Sequence, residues 1–143
     1  MQITSRFTLA IHIMLCVSSF SEKIKVTSTF LAKSANTNPV IIRKILGQLK
    51  EAKLVEIKAG VGGAFLLKDP NEITLYDIFY AVHAVDDNFF NFHPNPNCEC
   101  PVGKNIHTVL DSHLEKIQIA MDNEMKSTTL DTLLKETDEF LVI

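Results

Sequence analysis

Thr27-Ser28-Thr29-Phe30-Leu31-Ala32-Lys33-Ser34-Ala35-Asn36-Thr37-Asn38-Pro39-Val40-Ile41-Ile42-Arg43-Lys44-Ile45-Leu46-Gly47-Gln48-Leu49-Lys50 is the stretch on which the fold turns. Val26 leads into Thr27, whose hydroxyl suits a helix N-cap, and a short helix over Ser28 to Ala35 follows. Asn36-Thr37-Asn38-Pro39 breaks that helix. Asn38 can cap a second one, and Pro39 suits its first turn, where no amide donor is needed. Ile42, Ile45, Leu46 and Leu49 then make one apolar stripe, which leaves Val40, Arg43, Lys44 and Gly47 off it, with Lys50 near the end. Two short helices joined by a tight polar turn read as a helix-turn-helix.

Downstream, Val55-Glu56-Ile57-Lys58 alternates as a strand does, and Phe65-Leu66-Leu67-Lys68 does so more loosely. The glycine-rich Ala59-Gly60-Val61-Gly62-Gly63-Ala64 between them predicts a β-hairpin. A helix-turn-helix followed by a hairpin is a winged helix. Asp69-Pro70 closes the hairpin, and a helix starts at Leu75 with Thr74 as cap, Asp77 as capping-box acid and Ile73 and Ile78 as a hydrophobic staple. Leu75, Ile78, Phe79, Val82 and Val85 face one way along it.

Upstream, a helix is expected over Ser5 to Ser19, capped by Ser5. It carries two apolar stripes, one of Phe7, Ala10, Ile11 and Met14 and one of Leu9, Ile13, Cys16 and Phe20, so it is sandwiched, its second face a candidate for contact with a partner subunit. Residues 86–103 read as a long loop with Phe89, Phe90, Phe92, His93, Cys98 and Cys100 among three prolines. The last long helix, Lys104 to Lys126, bears Ile106, Leu110, Ile117 and Met121 on one stripe that a small winged-helix domain cannot cover alone. A helix from a second copy is the economical partner. A short terminal helix with Leu130, Leu133 and Leu134 is expected to pack back onto it.

The fold class is therefore mainly α with a small β-hairpin wing (α+β). The organisation is a winged helix-turn-helix region over 1–70, a linking helix and cysteine-bearing loop over 71–103, and a dimerisation and C-terminal helix over 104–143. Of the net charge of −3, residues 1–68 carry ten Lys/Arg against three Asp/Glu, and residues 69–143 carry four against fourteen. A basic half suited to polyanions is joined to an acidic half that keeps away from them. There is no apolar run of membrane-spanning length and no signal-peptide plan, so a cytoplasmic protein without membrane contact is expected. No nucleophile–base–acid spacing or phosphate loop stands out, which argues against an enzyme.

In this order the elements resemble the Rrf-two family of bacterial transcriptional regulators, the group of the iron–sulfur regulator IscR and the cysteine-metabolism regulator CymR. The resemblance rests on Ser5-Arg6-Phe7-Thr8-Leu9-Ala10-Ile11-His12, Asn38-Pro39-Val40-Ile41-Ile42-Arg43-Lys44-Ile45-Leu46 and Gly60-Val61-Gly62-Gly63-Ala64-Phe65-Leu66-Leu67. Asp69-Pro70, Ile73-Thr74-Leu75-Tyr76-Asp77-Ile78 and Cys100-Pro101-Val102-Gly103 complete it. It implies a homodimer joined through the long helices and reading a palindromic operator in double-stranded DNA, in most members as a repressor.

On that reading, Val40, Arg43 and Lys44 near the start of the recognition helix face base edges, and the hydroxyls of Thr27 and Ser28 face phosphate. Arg6 and Lys58 contact the backbone, and Gly60 and Val61 let the wing tip approach the minor groove. Wings of the family often carry Arg beside the glycines, whereas Ala59 stands before Gly60 here. The family's iron–sulfur members use three loop cysteines; this loop has two, Cys98 and Cys100. Cysteine oxidation at Cys16, Cys98 or Cys100 is the favoured sensing chemistry. No cofactor is required, although zinc or an iron–sulfur cluster on the loop cysteines with His93 and His107 stays open. A small-molecule pocket between the aromatic loop and the helix at Leu75, a protein effector, and a same-fold adaptor that binds a partner protein are the remaining alternatives.

Overall fold

The computed structural model describes residues 4–58, 60, 63–84 and 89–141. Helix α1 (Arg6–Phe20) runs through the centre, with Ala10, Ile13, Met14 and Val17 fully buried. It packs against α2 (Ser28–Ala35), α3 (Pro39–Glu51), α4 (Leu75–Ala81), α6 (Leu130–Leu141) and one strand of the hairpin. Ser5 does not cap it. Its own backbone is already helical (φ −63°, ψ −11°), so the hydroxyl cannot reach back as an extended cap residue's would. The second apolar side of α1 is covered in part by α6 of the same chain.

The capping residues set the next boundaries as the sequence suggests. Thr27 Oγ1 accepts a hydrogen bond from Phe30 N at 3.1 Å, and Asn38 Oδ1 accepts one from Val40 N at 2.8 Å. Asn36 ends α2 in the left-handed conformation, φ 53°, which asparagine tolerates. Ile42, Ile45, Leu46 and Leu49 are all buried, so one face of α3 belongs to the core.

Strands β1 (Val55–Lys58) and β2 (Gly63–Leu66) pair antiparallel, from Val55 opposite Leu66 to Lys58 opposite Gly63. β2 thus starts two residues before the expected Phe65. The reason lies at Gly63, which also pairs with Val26 ahead of α2, and Ala64 N donates to Val26 O at 3.0 Å. This third chain segment holds Gly63 and Ala64 in extended pairing up to the glycine tip. Gly63 has φ +75°, and a Cβ there would stand 2.3 Å from Val26 O. Only glycine fits. Val61 lies outside the described residues, as do Ala59 and Val85.

A 3-10 turn (Pro70–Glu72) leads to α4, where Thr74 and Asp77 form the complete capping box and the staple residues Ile73 and Ile78 are fully buried. The long helix α5 (Pro101–Ser127) begins three residues earlier than expected. The stripe expected from the sequence opens at Ile106, which places the start late, whereas Pro101 in the first turn is the informative signal. α6 packs on α1 and the 3-10 turn, and not chiefly on α5. The chain between α5 and α6 forms a bridge of Thr129 with Thr74, with Leu75 N donating to Thr128 O (3.0 Å) and Leu130 N to Ile73 O (2.8 Å). That bridge swings α6 towards α1. No helix among the described residues is long and apolar enough to cross a membrane.

Gly63→Ala is expected to destabilise the fold by about 1–3 kcal/mol through forced overpacking, with further cost from the positive φ. Urea denaturation would show it as a lowered midpoint; an unchanged midpoint would contradict the role given to the Val26–Gly63 contact.

Candidate nucleic-acid interface

Burial of one face of α3 decides what the other face presents. Turning about 100° per residue, Val40, Lys44, Gly47 and Glu51 fall opposite the buried stripe, with Arg43 on the flank. Val40 is 60% exposed, and Arg43, Lys44 and Gly47 are exposed as well. A Cβ at Gly47 would meet nothing within 4 Å, so the middle of this face is open to close approach. Ile41, which the sequence reading did not single out, is also exposed at 44% beside Val40. The helical count puts it on the flank opposite Arg43, next to Ile45.

Thr27 spends one oxygen lone pair on the α2 cap, which leaves its hydroxyl hydrogen to donate to an acceptor beyond the helix end. Ser28 occupies the first position of α2. Lys58, at the end of β1, has its ammonium 4.6 Å from the centroid of the Phe65 ring across the hairpin. A cation–π contact of this kind positions the charge without neutralising it. Gly60 has φ +77° and is exposed at the tip. Neither ion pair among the described residues uses a Lys or Arg of the N-terminal half.

Arg6 stands apart. Its Nη2 donates to His83 O at 2.8 Å and its Nε to Thr4 Oγ1 at 3.3 Å, which ties the start of α1 to the end of α4. The structure therefore brings Thr27, Ser28, Val40, Arg43 and Lys44 together on the helix-turn-helix and gives Arg6 an internal partner.

The residues assigned to dimerisation divide along α5. Met121 packs against the chain's own core, Ile106 and Leu110 are half-buried, and Ile117 is 52% exposed. The aromatic loop lies along a different side of α5, where Phe89, Phe90 and Phe92 line a cleft with His107 and Leu114. The Phe92 and His107 ring centroids are 4.2 Å apart. This cleft is built on α5.

Cys16 is buried, and Cys98 and Cys100 are exposed. Cys100 is the N-cap residue of α5, and the backbone amides of Gly103 and Val102 hold its thiol below the ordinary thiol range by stabilising the thiolate. Among the described residues no three Cys, His, Asp or Glu side chains converge as metal ligands. Two thiols separated by one residue, with the third in the core of the chain, do not fit a cluster that takes four protein ligands.

The sequence model of the Rrf2 family, described as "Iron-dependent Transcriptional regulator", matches residues 3–136. The chain belongs to the Rrf2 family. Among the described residues the donor set does not match the iron in that description. "Putative HTH-type transcriptional regulator YwnA" of Bacillus subtilis is 44% identical over 128 residues, covering 90% of this chain and 93% of that one. A solved structure described as "a putative DNA binding protein" is 39% identical, with TM-score 0.71 and coverage of 91% and 99%. IscR of T. potens shares the fold at 17% identity and TM-score 0.72, over 100% of this chain and 93% of that one. The Rrf2 winged-helix architecture is thereby established, and the family and its relatives are transcriptional regulators rather than enzymes.

Alkylation of Cys100 is expected to persist at pH values where an ordinary thiol has become protonated and slow. A pH–rate profile with iodoacetamide in a Cys98→Ser background, read by mass spectrometry, measures this. A midpoint within the ordinary thiol range would remove the amide effect.

Proposed function

We propose that this protein is a sequence-specific DNA-binding repressor that acts as a homodimer on a palindromic operator and is released by cysteine oxidation. The observation that carries the reading is the α3 face: Val40, Arg43 and Lys44 stand exposed opposite a fully used core stripe. Arg43 suits bidentate hydrogen bonding to guanine, and Val40 suits contact with a thymine methyl. Thr27 and Ser28 at the start of α2 face a phosphate, and Lys58, Gly60 and Val61 place the wing against the backbone and minor groove. Arg6 contributes by holding α1 to α4, with its remaining donors available to phosphate.

The dimer is supported by α5. Val102, Ile106, Val109, Leu110 and Ile117 fall within about one third of the helix circumference, on the side away from the aromatic loop. Three of them, Val102, Val109 and Ile117, are large exposed apolar residues. A two-fold pair of such helices would bury this face and set two α3 helices about 34 Å apart, one turn of DNA. Operator occupancy then blocks transcription.

For the switch, peroxide converts the Cys100 thiolate to a sulfenic acid with release of hydroxide. Condensation with a second thiol of the dimer expels water and leaves a disulfide. Cys98 and Cys16 are the candidate partners. The bond constrains the start of α5, at the dimerisation element.

Arg43→Ala is expected to weaken binding to the protein's own promoter by about 1–3 kcal/mol per lost base contact and to relax the sequence preference there, in a gel shift under reducing conditions. Unchanged affinity and preference would exclude α3 as the reading helix. Ile117→Glu is expected to yield a folded monomer in sedimentation velocity; a persisting dimer would move the interface off α5.

A further inference from the structure

Between α1 and α6 lies a cleft of about 360 Å3, within the size range of small-molecule sites. Ile11, Leu15 and Phe20 form its apolar walls, His12 and Cys16 present a ring and a thiol from α1, and Thr137 closes it from α6. Of its polar lining residues, Thr8, His12, Cys16 and Thr137 are already partnered. Thr137 Oγ1 donates to Leu133 O at 2.8 Å, and Ser34 Oγ lies 2.9 Å from His12 Nε2 and 3.4 Å from Cys16 Sγ. No Lys, Arg, Asp or Glu is among its lining residues. A charged ligand would lose its hydration there with no counter-charge in return. The space equals the volume of roughly a dozen water molecules, at about 30 Å3 each, which leaves room for a small neutral molecule.

The placement of the cleft gives it a route to the helix-turn-helix. Ser34 belongs to the last turn of α2, just before the turn that positions α3. Its hydrogen bonds to His12 and Cys16 join that turn to the cleft wall. A second cleft of about 350 Å3 shares Thr8 and His12 with the first and reaches Asn36 and Thr37. His12 therefore stands between the α1–α6 cleft and the α2–α3 turn.

We infer that the α1–α6 cleft is an effector site for a neutral, mainly apolar small molecule carrying at most one hydrogen-bonding group, and that the His12–Ser34–Cys16 contact passes its occupancy to α3. The effect on DNA rests on the reading of the chain as a DNA-binding regulator; the binding itself does not. Indole serves as the probe and indole-3-carboxylate as its charged counterpart, both added to the full chain. N-ethylmaleimide labelling followed by mass spectrometry reads Cys16, with the exposed Cys98 and Cys100 as internal references.

Indole is expected to slow labelling of Cys16 at least fivefold and saturably, to leave Cys98 and Cys100 unchanged, and to change promoter affinity at least threefold. Indole-3-carboxylate should protect at least tenfold less well. Thr137→Trp should protect Cys16 without any ligand and abolish the response to indole, with a thermal melt confirming that the variant folds. Unchanged Cys16 labelling in millimolar indole, equal slowing of all three cysteines, or equal protection by the carboxylate would overturn the site. Protection that follows protein concentration instead of indole would assign the cleft to a second copy, which also overturns it. Protection without a change in DNA affinity would overturn the coupling to α3. Absence of DNA binding before any indole is added would count against the regulator reading while leaving the labelling result to decide the cleft.

Discussion

Burial of the inner face of α1 is the constraint from which the rest of the molecule follows. Ala10, Ile13, Met14 and Val17 are fully buried, and α2, α3, α4, α6 and β2 all pack on this one helix. Apolar burial is non-directional, so α1 alone would not orient its neighbours. Orientation comes from polar anchors around it: the Thr27 and Asn38 caps, the Thr74–Asp77 box, the Arg6 bond to His83 O and the Ser34 cluster. The caps, the box and the Arg6 bond sit at element ends, where backbone donors or acceptors lack helical partners, and Ser34 joins the last turn of α2 to the middle of α1.

The same arrangement separates the faces of α3. Four apolar side chains commit one side of the helix to α1 and its surroundings, so Val40, Arg43 and Lys44 are held outward by the core itself. The wing is fixed with similar economy, since Gly63 meets the backbone of Val26 directly. Helix-turn-helix and hairpin therefore share one short segment, Val26–Thr27, which pairs with β2 and caps α2. Charge follows the chain: the excess of Lys and Arg lies within residues 1–68, and the excess of Asp and Glu lies beyond residue 68.

Local signals were readable where one residue determines one bond. Thr27, Asn38 and Thr74 were identified as caps from residue type and spacing, and each makes the expected hydrogen bond. The apolar stripe of α3 was equally legible. Ser5 has the right chemistry and the wrong backbone, which no residue type reveals. The early start of β2 depends on Val26, more than thirty residues away, and the path of α6 depends on a bridge between Thr74 and Thr129. The bond from Arg6 to His83 O was illegible because a backbone carbonyl has no sequence signature. The α1–α6 cleft was illegible for the same reason, since it exists only once α6 has been turned onto α1.

Hydroxyl-radical footprinting of the reduced protein on its own promoter bears most directly on the claim that paired α3 helices read DNA. The account predicts two protected patches on each strand, separated by about one helical turn and centred on an inverted repeat. Uniform protection without sequence register, or no protection at concentrations that saturate nonspecific binding, would contradict it.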